Sequence, residues 1–191
     1  MPPALTTARY TPQTVADGEP THGSWGVAAY LRTQHQKASR ALVLGQGDAA
    51  WAVCCVAIQH CSVARLGCDV GDAQARQACC RMWILYICVL GSLTELADAD
   101  GELRPKRAAL PHLPASARQL WRSITAAYGG HAADVDSEVL VPAVLLALKL
   151  RDAGAARDIV EAWLPSRAAC DPDHALLEPQ QQASYLRVCE L

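Results

Sequence analysis

The sequence contains no phenylalanine, and aromatic residues make up only 5% of it. Runs of alternating Val, Ile and Thr are missing too, while alanine and leucine dominate an apolar fraction of 51%. Both absences point away from sheet and toward helix. The longest apolar run, residues 82–93 (MWILYICVLGSL), lies between Arg81 and Glu95. A membrane span needs about 20 apolar residues, so this run is read as a buried core helix. The opening residues, MPPALTTARYTPQ, lack the apolar segment of a secretory signal. The closing SYLRVCEL is read as neither a tail anchor nor a peroxisomal SKL-type signal. Seventeen Lys and Arg against 19 Asp and Glu give a net charge of −2, with neither sign clustered along the chain. That reading predicts no nucleic-acid face and no acidic tail. A glycine-rich phosphate loop and a G-x-S-x-G elbow are also missing.

Cysteine, by contrast, is abundant: Cys54, Cys55, Cys61, Cys68, Cys79, Cys80, Cys88, Cys170 and Cys189. Seven of the nine fall in apolar helical segments, and the count is odd. Free thiols packing as small hydrophobes in a reducing compartment explain this better than a disulfide framework.

The most legible stretch is residues 134–164, DVDSEVLVPAVLLALKLRDAGAARDIVEAWL. Val139, Leu140, Val144, Leu145, Leu148 and Leu150 recur at helical spacing. Gly154 is the expected left-handed helix end, and Pro142 is expected near the helix start. A second helix follows from Ala155, with Ala156, Ile159, Val160 and Trp163 as its apolar stripe and Pro165 as its stop. Neither helix buries its apolar face alone, so this hairpin requires helical neighbours.

Several further helices are expected to supply them. Residues 1–23, with four prolines, form an expected disordered arm. Ser24 opens a helix carrying Trp25, Ala28, Ala29, Leu31, Ala38, Leu42 and Leu44 to Gly45. Asp48 is the expected cap of the next, and a third is predicted over about residues 73–97. The polar stretch 98–114 is expected to loop, because Pro105, Pro111 and Pro114 disfavour a continuous helix. Ser116 starts a fourth helix that Gly129-Gly130 ends. A last helix from Gln180, with Ala183, Leu186 and Val188 on one face, stops in mid-pattern, which reads as a chain cut inside an element. Residues 24–191 are therefore expected to form one all-α domain.

Leu44 to Trp51 (LGQGDAAW) and Leu150 to Arg157 (LRDAGAAR) share a helix, glycine turn, Ala-Ala, helix pattern. Trp51, Trp83, Trp121 and Trp163 recur at spacings of 32, 38 and 42, near the roughly 34-residue tetratricopeptide (TPR) period. The expected architecture is thus antiparallel helical hairpins, stacked as a TPR-like α-solenoid or packed as an irregular bundle.

Candidate chemistry is thin. Cys54, Cys55, His60, Cys61 and Cys68 sit along an apolar helix rather than on the turns that carry zinc ligands, and core thiols explain them better. Asp98, Asp100 and Glu102 echo a calcium loop but lack its later ligands. Asp134 and Asp136 precede a helix and are read as capping residues. The six histidines show no ligand spacing. No catalytic residue, cofactor or metal site is assigned, and an enzyme is not expected.

One resemblance stands on residues. LVPAVLLALKL followed by the Ala-Arg-Asp-Ile-Val-Glu-Ala-Trp-Leu helix resembles fungal members of a tail-anchored peroxisomal peroxin family, known as peroxin twenty-six in animals and peroxin fifteen in yeast. Trp121 to Tyr128 with its Gly-Gly end, DVDSEVL, and Tyr185-Leu-Arg-Val-Cys-Glu-Leu191 are similar as well, so the resemblance covers residues 119–191. It implies a non-catalytic helical adaptor on the cytosolic face of the peroxisomal membrane. Such an adaptor docks the N-terminal domain of a AAA ATPase that recycles import receptors. It also implies a C-terminal membrane anchor, for which this sequence has no span. The alternative is a cytoplasmic TPR-like scaffold for another protein partner. For either, the exposed charges Arg151, Arg157, Asp158 and Glu161 are the candidate partner-binding residues, with the mixed-charge loop near residues 98–107 as a second candidate.

Overall fold

The computed structural model describes residues 24–63, 66, 70–96, 103–105 and 112–170. The expected N-terminal arm, Cys68, most of the 98–114 loop and the helix expected from Gln180 lie outside the described residues. The described residues fold as six α-helices: α1 (Ser24–Val43), α2 (Gly47–Ile58), α3 (Val70–Leu93), α4 (Ala117–Ala127), α5 (Ser137–Lys149) and α6 (Ala153–Cys170). The all-α expectation holds, with one small exception between α3 and α4. There β1 (Thr94–Leu96) pairs antiparallel with β2 (Leu103–Pro105), Glu95 opposite Arg104. The third helix therefore ends about one turn earlier than its composition suggests. Ser92 Oγ bonds Val89 O at 2.7 Å and Thr94 Oγ1 bonds Leu90 O at 2.6 Å, and such back-bonding competes with the helix ladder.

The helix at the centre is α3. Thirteen of its 24 residues are buried, too many for one stripe, so it is covered on several sides. It packs against α1, α2 and α5. Cys80 Sγ donates to Glu138 Oε2 at 3.5 Å, and Lys149 Nζ donates to Gly91 O at 2.6 Å, both between residues 58 apart. Eleven residues along α3 thus match eleven along α5, so the two helices run parallel for about 16 Å. Near their starts, Ser24 Oγ on α1 donates to Asp72 on α3, and further along His35 feels the charge of Arg81. The helices α1, α3 and α5 therefore form a parallel row. The returning helix α2 packs on α1 and α3, and α6 packs on α5.

Both helix–turn–helix joints follow local chemistry, though not always through the residue expected. Gly45, at φ +72°, makes the turn after α1. Asp48 does not cap α2; Gln46 holds the cap position without a side-chain bond, and Asp48 lies in the first turn. At the other joint the left-handed residue is Arg151, φ +57°, not Gly154. Gly154 lies inside α6, where a Cβ would come 3.1 Å from Arg118 Nη2. Asp152 caps α6 by accepting from Ala155 N at 2.8 Å.

Two prolines also sit differently from expectation. Pro142 is in the interior of α5, and α6 continues past Pro165 to Cys170. A proline removes one ladder bond and strains the preceding turn. Packing of α5 on α3 and α6 supports it despite that cost. The fourth helix follows its sequence signals: Ser116 Oγ accepts from Gln119 N at 3.2 Å, and Gly129 and Gly130 take φ of +95° and +89°.

The spaced tryptophans are core anchors. Trp51, Trp83, Trp121 and Trp163 are all buried. Trp51 stacks on Tyr86 at 4.7 Å, Tyr86 meets Trp83 edge-on at 5.7 Å, and Trp163 Nε1 donates to Val135 O at 3.0 Å. Trp25, in the first turn of α1, is by contrast 59% exposed.

Candidate interaction surface

Two polar features lie inside the scaffold, and both read as structural. The first is a knot joining α3 to the start of α5. Asp136 stands at the cap position of α5, yet its carboxylate makes no capping bond. It accepts instead from Arg76 Nε at 3.2 Å, from Arg76 Nη2 at 3.1 Å and from the Tyr128 hydroxyl at 2.9 Å. Arg76 also donates to Asp134 O at 2.9 Å, and its guanidinium lies 5.7 Å from the Tyr128 ring centre. The capping expectation for Asp136 is therefore replaced by a tertiary role, because the Tyr128 hydroxyl and Arg76 offer better-placed donors than the helix end. Burial and the Asp136 charge push the Tyr128 phenol well above its ordinary range.

The second feature is a set of thiols. Cys54, Cys55, Cys61, Cys79 and Cys80 are buried and outside any disulfide. Cys88, expected among them, is exposed. Burial raises Cys54 to about 12 and Cys55 to about 11, and burial with Asp136 and Glu138 raises Cys80 to about 12. Cys61 and Cys79 share a thiol–thiol hydrogen bond that holds Cys61 up and draws Cys79 down. Thiols held protonated are poor nucleophiles and poor metal ligands. Among the described residues no three His, Cys, Asp or Glu side chains gather as metal ligands. No helix of the described residues is long and apolar enough to cross a membrane.

The raised thiols Cys54, Cys55 and Cys80 set an alkaline limit on stability. A thiol whose pKa in the fold exceeds its ordinary 9.0 holds its proton more tightly in the fold than in the unfolded chain. Its contribution is complete below about pH 9 and is lost as pH rises through about 11 for Cys55 and about 12 for Cys54 and Cys80. Urea midpoints are expected to stay level up to about pH 9 and fall steadily above it. A midpoint unchanged far into the alkaline range would mean that the thiols are hydrated in solution.

The exposed features gather on the row of parallel helices. With α1 on one flank, α5 on the other and α2 behind, α3 has one open side. Its exposed residues Gln77, Arg81, Cys88 and Ser92 recur at spacings that keep them on one face. Alongside, α1 exposes Arg32 and Gln36, and Arg32 Nη2 donates to Gln74 on α3. On α5, Val141 is 48% and Leu145 57% exposed, four residues apart on one face. The apolar period placed Leu145 in the core; the stripe of α5 that packs is instead Val139, Leu140, Ala143, Val144, Leu146 and Ala147.

The charge on this row is not visible in the chain order. Together α1 and α3 carry Arg32, Lys37, Arg40, Arg76 and Arg81 against one acid, Asp72. His35 beside Arg81 sits below its ordinary 6.5, through burial and then the Arg81 charge, and so adds no charge at neutral pH. The row is locally basic in a chain of net charge −2.

The four residues expected to bind a partner are all exposed, at a separate place. Arg151 lies at the α5–α6 turn, and Arg157, Asp158 and Glu161 lie on α6. Asp158 is engaged within the fold: Arg118 Nε on α4 donates to its Oδ2 at 2.7 Å. The loop candidate near residues 98–107 lies largely outside the described residues. Comparison with known families, characterised proteins and solved structures returns no match for the chain.

Proposed function

We propose that the chain is a non-catalytic helical adaptor that holds a protein partner on the parallel row of α1, α3 and α5. One observation carries this reading. Each helix of the row has exposed residues, and α5 bears two large apolar side chains among them, Val141 and Leu145, that the core does not use. Apolar side chains exposed side by side on a rigid helical surface are a common mark of protein contact. The buried thiols kept protonated and the structural role of Asp136 are consistent with a binding rather than a catalytic part.

The more specific proposal rests on the resemblance over residues 119–191. In it the partner is the N-terminal domain of a AAA ATPase, the site is the cytosolic face of the peroxisomal membrane, and the process is import-receptor recycling. Affinity purification of the tagged full chain tests both levels. Recovery of a AAA ATPase, retained in a reconstituted pairwise binding assay, supports the specific reading. Recovery of a different protein that binds directly supports the general scaffold alone. A chain that binds no protein directly sinks both.

A further inference from the structure

The open face of the row is selective in charge as well as apolar. Among the described residues, no carboxylate pairs with Arg32 or Arg81. Of the acids on the neighbouring elements, Asp136 is held by Arg76 and Tyr128, Asp72 lies at the α1–α3 start with Ser24, and Glu138, exposed at the start of α5, accepts from Cys80. Lys149, bonded to Gly91 O, adds a further positive charge at the far end of α5. The face thus offers cations on α1 and α3 and an apolar step on α5, side by side.

We infer that this face takes an acidic peptide segment of a partner protein, with carboxylates set against Arg32 and Arg81 and an apolar side chain seated on Val141 and Leu145. The inference rests on the adaptor reading and narrows its partner. Charge complementarity argues for the acid, since a positive patch steers and orients a negative segment. The apolar step argues for a peptide over a nucleic acid, whose phosphates would gain nothing from Val141 and Leu145. Helix axes pack about 8–10 Å apart, so a segment crossing the row spans about 20 Å, or roughly six or seven extended residues.

Selection of displayed random peptides of about twelve residues on the intact full chain tests this. Selected sequences are then made as fluorescent synthetic peptides and measured by anisotropy against the parent chain and against Arg81→Glu and Leu145→Asp. Both positions are exposed, and helical circular dichroism checks that each variant folds. Sequences rich in Asp and Glu with one or two large apolar residues are expected. Their affinity is expected to fall at least about tenfold in each variant, and to weaken with salt. Selected peptides without acidic excess, or ones whose binding survives both substitutions, overturn the inference while leaving the adaptor reading in place. A single-stranded RNA that binds the chain and loses affinity in Arg81→Glu but not in Leu145→Asp overturns it in favour of a nucleic-acid face. Failure to select any binder counts against the inference and the adaptor reading together.

Discussion

Replacing Trp51 with alanine is expected to cost about 3–5 kcal/mol of folding free energy. The indole has no solvent exposure, stacks on Tyr86 at 4.7 Å and sits where α2 meets α3. Tyr86 in turn leans on Trp83, so the lost volume opens at the centre of an aromatic cluster whose other rings are held from α3. A rigid surround collapses poorly into a gap, and the cavity adds to the lost transfer free energy. Small domains are stable by only about 5–15 kcal/mol, so the variant is expected to keep a small part of its stability. Its urea midpoint should fall steeply. Trp25→Ala is the matched control: that ring is 59% exposed, and its loss is expected to change stability by no more than about 0.5 kcal/mol. Equal losses for the two variants would mean that the aromatic cluster does not organise the core.

The second large effect is expected at Asp136. Its carboxylate joins three segments: α3 through Arg76, the end of α4 through Tyr128, and the start of α5 on which it stands. The ion pair with Arg76 is partly solvated, with side chains 46% and 28% exposed, and contributes less than about 1 kcal/mol. The bond from Tyr128 matters more, because that residue is only 2% exposed. Without Asp136 its hydroxyl loses the acceptor that the fold supplies, at about 1–3 kcal/mol. Asp136→Ala is therefore expected to lose about 2–3 kcal/mol. Asp136→Asn keeps an acceptor oxygen and is expected to recover part of this. A double-mutant cycle with Tyr128→Phe separates the contributions: the pair should couple, because removing both partners leaves no orphan. Strict additivity would place the Asp136 effect in Arg76 or in the helix start instead.

What the sequence made legible is local. The Ser116 cap, the Gly129-Gly130 stop, the α5–α6 hairpin and the buried Trp51, Trp83, Trp121 and Trp163 each follow from a few adjacent residues or from a regular spacing. The misplacements arise where tertiary packing outweighs a local rule. Pro142 and Pro165 read as boundaries, yet α5 and α6 run through them. Asp136 reads as a cap, but its partners Arg76 and Tyr128 come from other elements, and Arg76 lies 60 residues away. Leu145 fits the apolar period of α5 as well as its neighbours do; only the positions of α3 and α6 decide that it faces outward. The basic face was the least visible feature. Arg32 and Arg81 are far apart along the chain and come onto one side of the molecule only because α1 and α3 run parallel, Arg32 reaching Gln74 and Arg81 acting on His35. Arg151, Arg157, Asp158 and Glu161 stand out in the sequence because they are close together along it, and Asp158 is already occupied by Arg118.

The parallel pairing of α3 with α5 also sets a timetable. Helices α1, α2 and α3 follow one another in the chain, with 3 and 11 residues between them, and can close on one another as soon as they leave the ribosome. The flank of α3 that carries Cys80 and Gly91 must wait for partners 58 residues further on. At about 5–20 residues per second of synthesis, that flank stays uncovered for roughly 3–12 s. Contacts between residues so distant in sequence also form late in refolding, because the closure entropy of the intervening chain is lost before they are gained. The newborn chain is thus expected to pass through a three-helix stage with one greasy side open, the interval in which a chaperone would find it.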